Sequence, residues 1–489
     1  MKKLALIIFL PLILIVIVLF YRAQTHFEDK QYKVEQPLAL KRLDEDGAVE
    51  RFARAIQFPT ISHEDETLFD DKAFTDFVQH LENSFPLVHQ NGTLTKFNKY
   101  TLLYKFEGRN SSLKPALFMG HSDVVPVDEE TLEDWDNPPF SGAVKDGTIW
   151  GRGTLDDKIS VLALLESMEY LLSQGLQPER TIYFSFGHDE EIGGEQGAQA
   201  VASYFSENNT TFEFILDEGG AVTQDLMAGV TQPLALIGVA EKGFVNLRLT
   251  VEDAGGHSSQ PPANTAAGIV AQAVVALEEN PFPADLSFIS MTFDAVGSYT
   301  PLKTRLPLSN LWLLSPVVKS SLLATPSSAA SIHTTTAVTM LKGSSKSNIL
   351  PTQAEAVVNF RTLPGDNIKK IEDHAKSVID NPRVNVESFM GNESSTVSST
   401  NSSSFKLLER TIRQLDDSIL VAPYLVQGGT DAKHFDGLSN NIYRFLMIYL
   451  DSNSVSRFHG INEQVSVKNY IQAVQFYTAV IEQTASGDL

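Results

Sequence analysis

Residues 116–123 read Ala-Leu-Phe-Met-Gly-His-Ser-Asp. The apolar run Ala116 to Met119 predicts a strand buried on both faces, and His121 and Asp123 fall at its end. The same arrangement recurs downstream. Thr181 to Phe186 and Phe212 to Leu216 predict two more buried strands, followed by Asp189-Glu190-Glu191 and by Asp217. Between them, Ile159 to Leu172 carries apolar residues at helical spacing and is stopped by Gly175. Strands alternating with helices predict an α/β fold with a doubly wound, mostly parallel sheet. Ligands of such sheets gather beyond the carboxyl ends of the strands, where these polar residues lie.

Carboxylates brought together at strand ends repel one another unless a cation sits among them. A histidine with several carboxylates suits a borderline divalent ion such as zinc. The chain has no cysteine, so any metal is held by His, Asp and Glu. Asp156 lies in Gly151-Arg-Gly-Thr-Leu-Asp156-Asp157-Lys158, just ahead of the long helix. As an isolated residue it reads as a helix N-cap; beside the other acidic sites it reads as a bridge between two ions. Glu190 and Glu191 are adjacent, so one can bind metal while the other remains free for proton transfer. Asp123, two residues past His121, is placed to orient the imidazole. Spacing alone does not separate His257 and His459 from the other histidines.

After Glu241 the texture changes. Val245 to Val251 alternates polar and apolar residues, as a half-exposed strand does. Helices at 265–278 and 367–379 and strands at 335–341, 354–362 and 383–389 complete a β-α-β-β-α-β order, the ferredoxin-like unit. The expected organisation is an N-terminal signal anchor or signal peptide (1–23), a tether (24–44), a catalytic domain in two parts (45–240 and 405–489), an inserted lid or dimerisation domain (241–390) and a polar linker (391–404). Residues 281–332, rich in Leu, Pro and Ser, have no clear place in this scheme.

The chain has 489 residues, 43% apolar content and a formal net charge of −22. This balance excludes nucleic acid as a partner, because phosphate binding needs clustered Lys and Arg. At the N-terminus, Lys2 and Lys3 precede the apolar run Leu4 to Phe20. That pattern predicts export, with the body membrane-anchored outside the cytoplasm, or secreted or periplasmic if the segment is cleaved.

The motifs GHSDVVPV, GRGTLDDK, GHDEEIGG, LDEGG, GGHSSQPP, NFRTLPGD, GGTDAKHF and FHGINE occur in this order. Together they resemble the ArgE/DapE/aminoacylase/carboxypeptidase S family of di-zinc exopeptidases from about Asp44 onward. The likeness is strongest to carboxypeptidase S and the secreted N-fatty-acyl-amino acid synthase/hydrolases. The resemblance implies that His121, Asp156, Glu191, Asp217 and His459 hold two Zn2+ (Co2+ or Mn2+ as substitutes), with Asp156 bridging. It implies Glu190 as general base and acid, Asp123 orienting His121, and His257 steadying the oxyanion, from a second subunit in dimeric members. Arg361 would grip a substrate carboxylate, Gly428 and Gly429 would admit the substrate to the backbone, and the Asp156–Asp157 peptide would be cis. The implied activity is hydrolysis of an amide beside a free α-carboxylate, on a short peptide or, alternatively, an N-fatty-acyl amino acid. Base and ligands are all present, which argues against a non-catalytic binding protein on the same fold.

Overall fold

The computed structural model describes residues 2–227 and 229–488, and the side chains from Leu10 onward. The chain opens with helix α1 (Lys2–Thr25). Among the described residues no helix is long and apolar enough to cross a membrane; the first part of the apolar run, Leu4 to Phe9, lies outside the described side chains. Residues 26–41 then run along the body. Gln31 is buried, its amide donating to the carbonyls of Ala295 and Val421 (3.0 and 2.9 Å) and accepting from the Val421 N–H at 2.7 Å.

The large sheet is built from β1 (Thr93–Phe97), β2 (Thr101–Phe106), β3 (Ala116–His121), β4 (Ile182–Gly187), β5 (Phe214–Asp217), β6 (Val222–Thr223) and β7 (Leu234–Glu241). After the inserted lid it takes up β12 (Leu420–Val426), β13 (Ile442–Arg444) and β14 (Tyr449–Leu450). The spatial order is β1-β2-β4-β3-β5-β13-β7-β6-β14, with β12 on β7. The centre, β4-β3-β5-β13, is parallel. All six residues of β3 and all eight of β7 are buried, as expected of strands covered on both faces. Helix α2 (Lys158–Ser173) begins beside the end of β3 and is buried along most of its length, including Val161, Leu162, Leu164, Leu165 and Met168. It packs against the C-terminal helix Val467–Ala485, and their side chains join those of the strands in one core.

The lid sheet contains β8 (Gly243–Glu252), β9 (Thr335–Lys342), β10 (Gln353–Thr362) and β11 (Asn385–Asn392) in the order β9-β10-β8-β11, all antiparallel. This is the ferredoxin-like arrangement. Helices α3 (Ala266–Glu279) and Ile368–Ile379 cover one face; Val245, Leu247, Leu249 and Val251 point inward, and the residues between them do not. Residues 281–332 fold into helices: α4 (Ser287–Val296), α5 (Leu302–Leu308), α6 (Leu311–Leu322) and a short turn at Pro326–Ala330. They pack mainly on the body, burying Leu286, Phe293, Val296, Leu308 and Val318 against Leu234, Leu236 and Leu420, with Phe288 also meeting Leu363 at the end of the lid strand β10. The stretch 391–404 also lies on the body. Ser395 Oγ accepts the Glu241 N–H at 2.8 Å, and Ser398 Oγ accepts the N–H of Ile442 at 2.8 Å.

Candidate metal centre

His121 is the last residue of β3, and its ring is fully buried. Nδ1 lies 3.1 Å from the backbone carbonyl of Asp123. A carbonyl can only accept, so Nδ1 carries a proton, which leaves Nε2 as the nitrogen that can bind a metal once its own proton is displaced. Nε2 faces Asp156 Oδ1 at 3.0 Å. The Asp123 carboxylate, 3.4 Å from Nδ1, accepts the N–H groups of Glu190 (3.2 Å) and Glu191 (3.1 Å) and the Ser62 hydroxyl (2.6 Å). One buried aspartate thus fixes both the tautomer of His121 and the turn that follows β4.

Asp156 stands just ahead of α2, and the Asp156–Asp157 peptide is cis. Its second oxygen, Oδ2, lies 3.1 Å from His459 Nε2, and that nitrogen is 3.2 Å from Glu191 Oε2. His459 comes from the loop after β14 and holds a left-handed φ of 57°, a conformation rare outside glycine and asparagine. The site therefore joins β3, β4, β5, the start of α2 and a loop from the far end of the chain, all at the carboxyl edge of the sheet.

Two clusters of potential ligand atoms share Asp156. One is His121, Asp156 and Glu218; the other is Asp156, Glu191 and His459. Glu218 stands where Asp217 was expected. Asp217 is the last residue of β5, its Oδ2 accepts the Ala432 N–H at 2.8 Å, and it falls in neither cluster. Glu218, the residue just past the end of β5, is the one whose carboxylate falls with His121 and Asp156.

The electrostatics suit a cation. Burial alone lowers His121, but bonds to Asp123 and Asp156 overcome it and hold the ring well above its ordinary pKa. His459, bonded to Asp156 and Glu191, is pushed up to about 10. Burial raises Asp156, and the two imidazoles reverse this and hold it low. Burial also pushes Glu190 and Glu218 well above the usual carboxylate range. The chain thus balances its carboxylates with protons, a task a divalent cation takes over on binding. Glu191 Oε1 is buried with no partner, an orphaned acceptor that a cation satisfies. Histidine and carboxylate donors around a shared aspartate fit a pair of divalent ions.

The remaining expected residues lie outside the clusters. Glu190 sits beside Glu191 on the turn and belongs to neither set. Arg361, near the end of β10, is exposed, its guanidinium 5.5 Å from the Phe244 ring centroid. Gly428 and Gly429 are exposed, with open space where a side chain would stand. His257 lies on the lid, exposed, its Nδ1 2.8 Å from Ser259 Oγ. Sequence reasoning gave no role to Glu463 or Ser62. Glu463 falls within the FHGINE motif, which was its available signal; Ser62, 61 positions from Asp123, gave none.

Fold and site together define a metal-dependent peptidase or amidohydrolase. The chain belongs to peptidase family M20/M25/M40, whose pattern it matches over residues 117–483. It is 42% identical to the probable carboxypeptidase S-like protein 2 of Dictyostelium discoideum, over 94% of this chain and 90% of the relative. It is 35% identical to the human N-fatty-acyl-amino acid synthase/hydrolase PM20D1, over 92% of this chain and 89% of that protein. Among solved structures, the M20 family metallo-carboxypeptidase Sso-CP2 from Sulfolobus solfataricus shares the fold (TM-score 0.64, 18% identity, 89% of this chain and 98% of that one).

Proposed function

We propose that the protein is an exported carboxypeptidase of short peptides, holding two Zn2+ ions (Co2+ or Mn2+ as substitutes) on His121, Asp156, Glu191, Glu218 and His459. The observation that carries this reading is Asp156, whose two oxygens face His121 and His459 separately (3.0 and 3.1 Å). Cations bound there supply Lewis acidity, polarising a carbonyl and acidifying water. The chain's own groups do the rest. Arg361, exposed and planar, takes the substrate's α-carboxylate. Glu190 accepts a proton from the attacking water and delivers it to the leaving amine. Burial raises its pKa, which favours proton uptake from the water. His257 reaches the developing oxyanion, from a second copy paired through the lid.

The name of the human relative supports a second reading, hydrolysis or synthesis of N-fatty-acyl amino acids. So does a cavity of about 550 Å³ lined by Phe288, Met291, Pro364, Gly365 and Val397 together with Ser287, Ser394, Ser395 and Thr396; Pro364 follows Arg361 by three residues in the chain. A screen of N-acyl amino acids and dipeptides of varied chain length separates the two. Cleavage of C-terminally blocked substrates in preference to free acids would refute the carboxylate-reading role of Arg361. We further propose that α1 anchors the body at a membrane, outside the cytoplasm. The basic start and apolar run support this.

A further inference from the structure

We propose that α6 (Leu311–Leu322), with α5 beside it, is a bilayer-docking element that lies in the headgroup region of an anionic membrane, next to the anchor α1. This deepens the anchoring reading above and rests on it.

One face of α6 is accounted for: Val318 is buried, and Leu311 and Leu322 pack on the core that holds Leu234 and Leu420. The other face is apolar and uncovered. Trp312 is 60% exposed, Leu313 41% and Val317 61%, with Leu302 and Leu323 also exposed at the flanks. Residues 312, 313, 316 and 317 share a helical face, where a helix in water carries polar groups. A contiguous apolar patch of this kind marks an interaction surface.

Two observations say what covers it. The first is continuity with α1. Arg22 Nε donates to the Ser309 carbonyl, and Asn310 Nδ2 donates to the Leu19 carbonyl, both at 3.0 Å. The Asn310 side-chain oxygen in turn accepts the Trp312 indole N–H at 3.3 Å. Asn310 thus sets the exposed tryptophan beside the end of α1, where Leu14, Val16, Ile17 and Phe20 are exposed too. Whatever surrounds that end of α1 meets α6. Tryptophan at the boundary between an apolar helix and water is the preferred anchor of a bilayer interface.

The second is charge. The protein carries a net charge of −22, yet no acidic residue occurs between Asp294 and Glu355, where Lys303, Arg305, Lys319, Lys342 and Lys346 lie. Lys2, Lys3 and Arg22 flank the α1 run, with no acidic residue before Glu28. Of these, Lys303 and Arg305 stand on α5, Lys319 on α6 and Arg22 near the end of α1, so these helices carry cations and no carboxylate in a chain that is otherwise acidic. Anionic headgroups attract these cations, whereas the same face of a second copy, paired about a two-fold axis, would set cation against cation. The same insert supplies Phe288 and Met291 to the cavity, so docking sets that cavity's helix near the lipid phase, where acylated substrates dissolve.

The test uses the full chain reconstituted with phosphatidylcholine vesicles, with and without phosphatidylserine, some carrying acyl-brominated lipid. Trp312→Phe isolates the Trp312 signal from Trp135 and Trp150. The expected result is co-flotation with vesicles, an about twofold fall in Trp312 emission with brominated lipid, stronger with phosphatidylserine, and protection of Trp312 from aqueous iodide. A chain that floats while Trp312 stays open to iodide and untouched by bromine overturns the docking of α6 and leaves the anchor standing. A chain that does not float overturns the anchor and this inference with it. Trp312 shielded from iodide without lipid, in a self-associated species, identifies a second copy as the occupant and overturns the proposal.

Discussion

Arg152 and Glu463 form a buried ion pair, Nη1 to Oε2 at 2.6 Å, beneath the two loops that carry Asp156 and His459. Glu463 Oε1 accepts the N–H groups of Gly153 (3.0 Å), Leu155 (2.8 Å) and Asp156 (3.4 Å), and Arg152 Nη2 donates to the His459 carbonyl at 3.2 Å. The pair ties the first part of the catalytic domain to its last segment, at Asp156. Glu463→Ala leaves a buried guanidinium unpaired, so it should cost about 3–5 kcal/mol of stability. Metal affinity should fall about tenfold or more as Asp156 loses its support. Denaturant unfolding and a metal titration check both, and unchanged affinity would remove Glu463 from the account of the site.

Glu190 lies in neither ligand cluster. Glu190→Gln keeps the shape and removes the base. Turnover should drop by about 10²–10⁴-fold with metal content unaltered. Loss of metal together with activity would make Glu190 a ligand instead.

Asp217 and Glu218 are neighbours with different tasks, and alanine at each should separate them. Glu218→Ala should weaken binding of the ion held with His121. Asp217→Ala should keep both ions but strand the Ala432 N–H, at a cost of about 1–3 kcal/mol. The opposite pattern in metal analysis would restore Asp217 as the ligand.

Lys242 is buried, its Nζ donating to the carbonyls of Ala330 and His333 at 2.9 Å each. Burial, and then the Arg361 charge, push it down to about 8 from 10.5. Between those pH values the unfolded chain holds a proton that the folded chain has released, so stability rises with pH across this window. Lys242→Met should remove that rise, which chemical denaturation at pH 7.5 and 10 of wild type and variant detects. Parallel pH profiles would show that Lys242 stays charged when folded.

The buried strands β3, β4 and β5 and the helix α2 were legible because unbroken apolar runs and 3.6-residue spacing are strong local signals. His121, Asp156, Glu191 and His459 were legible through their motifs, and the structure brings them together. The choice of carboxylate at the end of β5 was not: Asp217 and Glu218 are adjacent in one motif, and only the fold shows which of them clusters with His121 and Asp156. Residues 281–332 were opaque because Pro307 and Pro316 lie inside helices, where proline ordinarily argues against helix. The packing of that segment on β7 and β12 outweighs the local preference. Ser62 reaches Asp123 only through the fold.

The central claim is that two divalent ions share the Asp156 carboxylate. Metal analysis of the purified chain and of Asp156→Ala, each confirmed folded by circular dichroism, tests it most directly. The account predicts two ions per wild-type chain and loss of both in the variant. A folded Asp156→Ala chain that keeps two ions would contradict it.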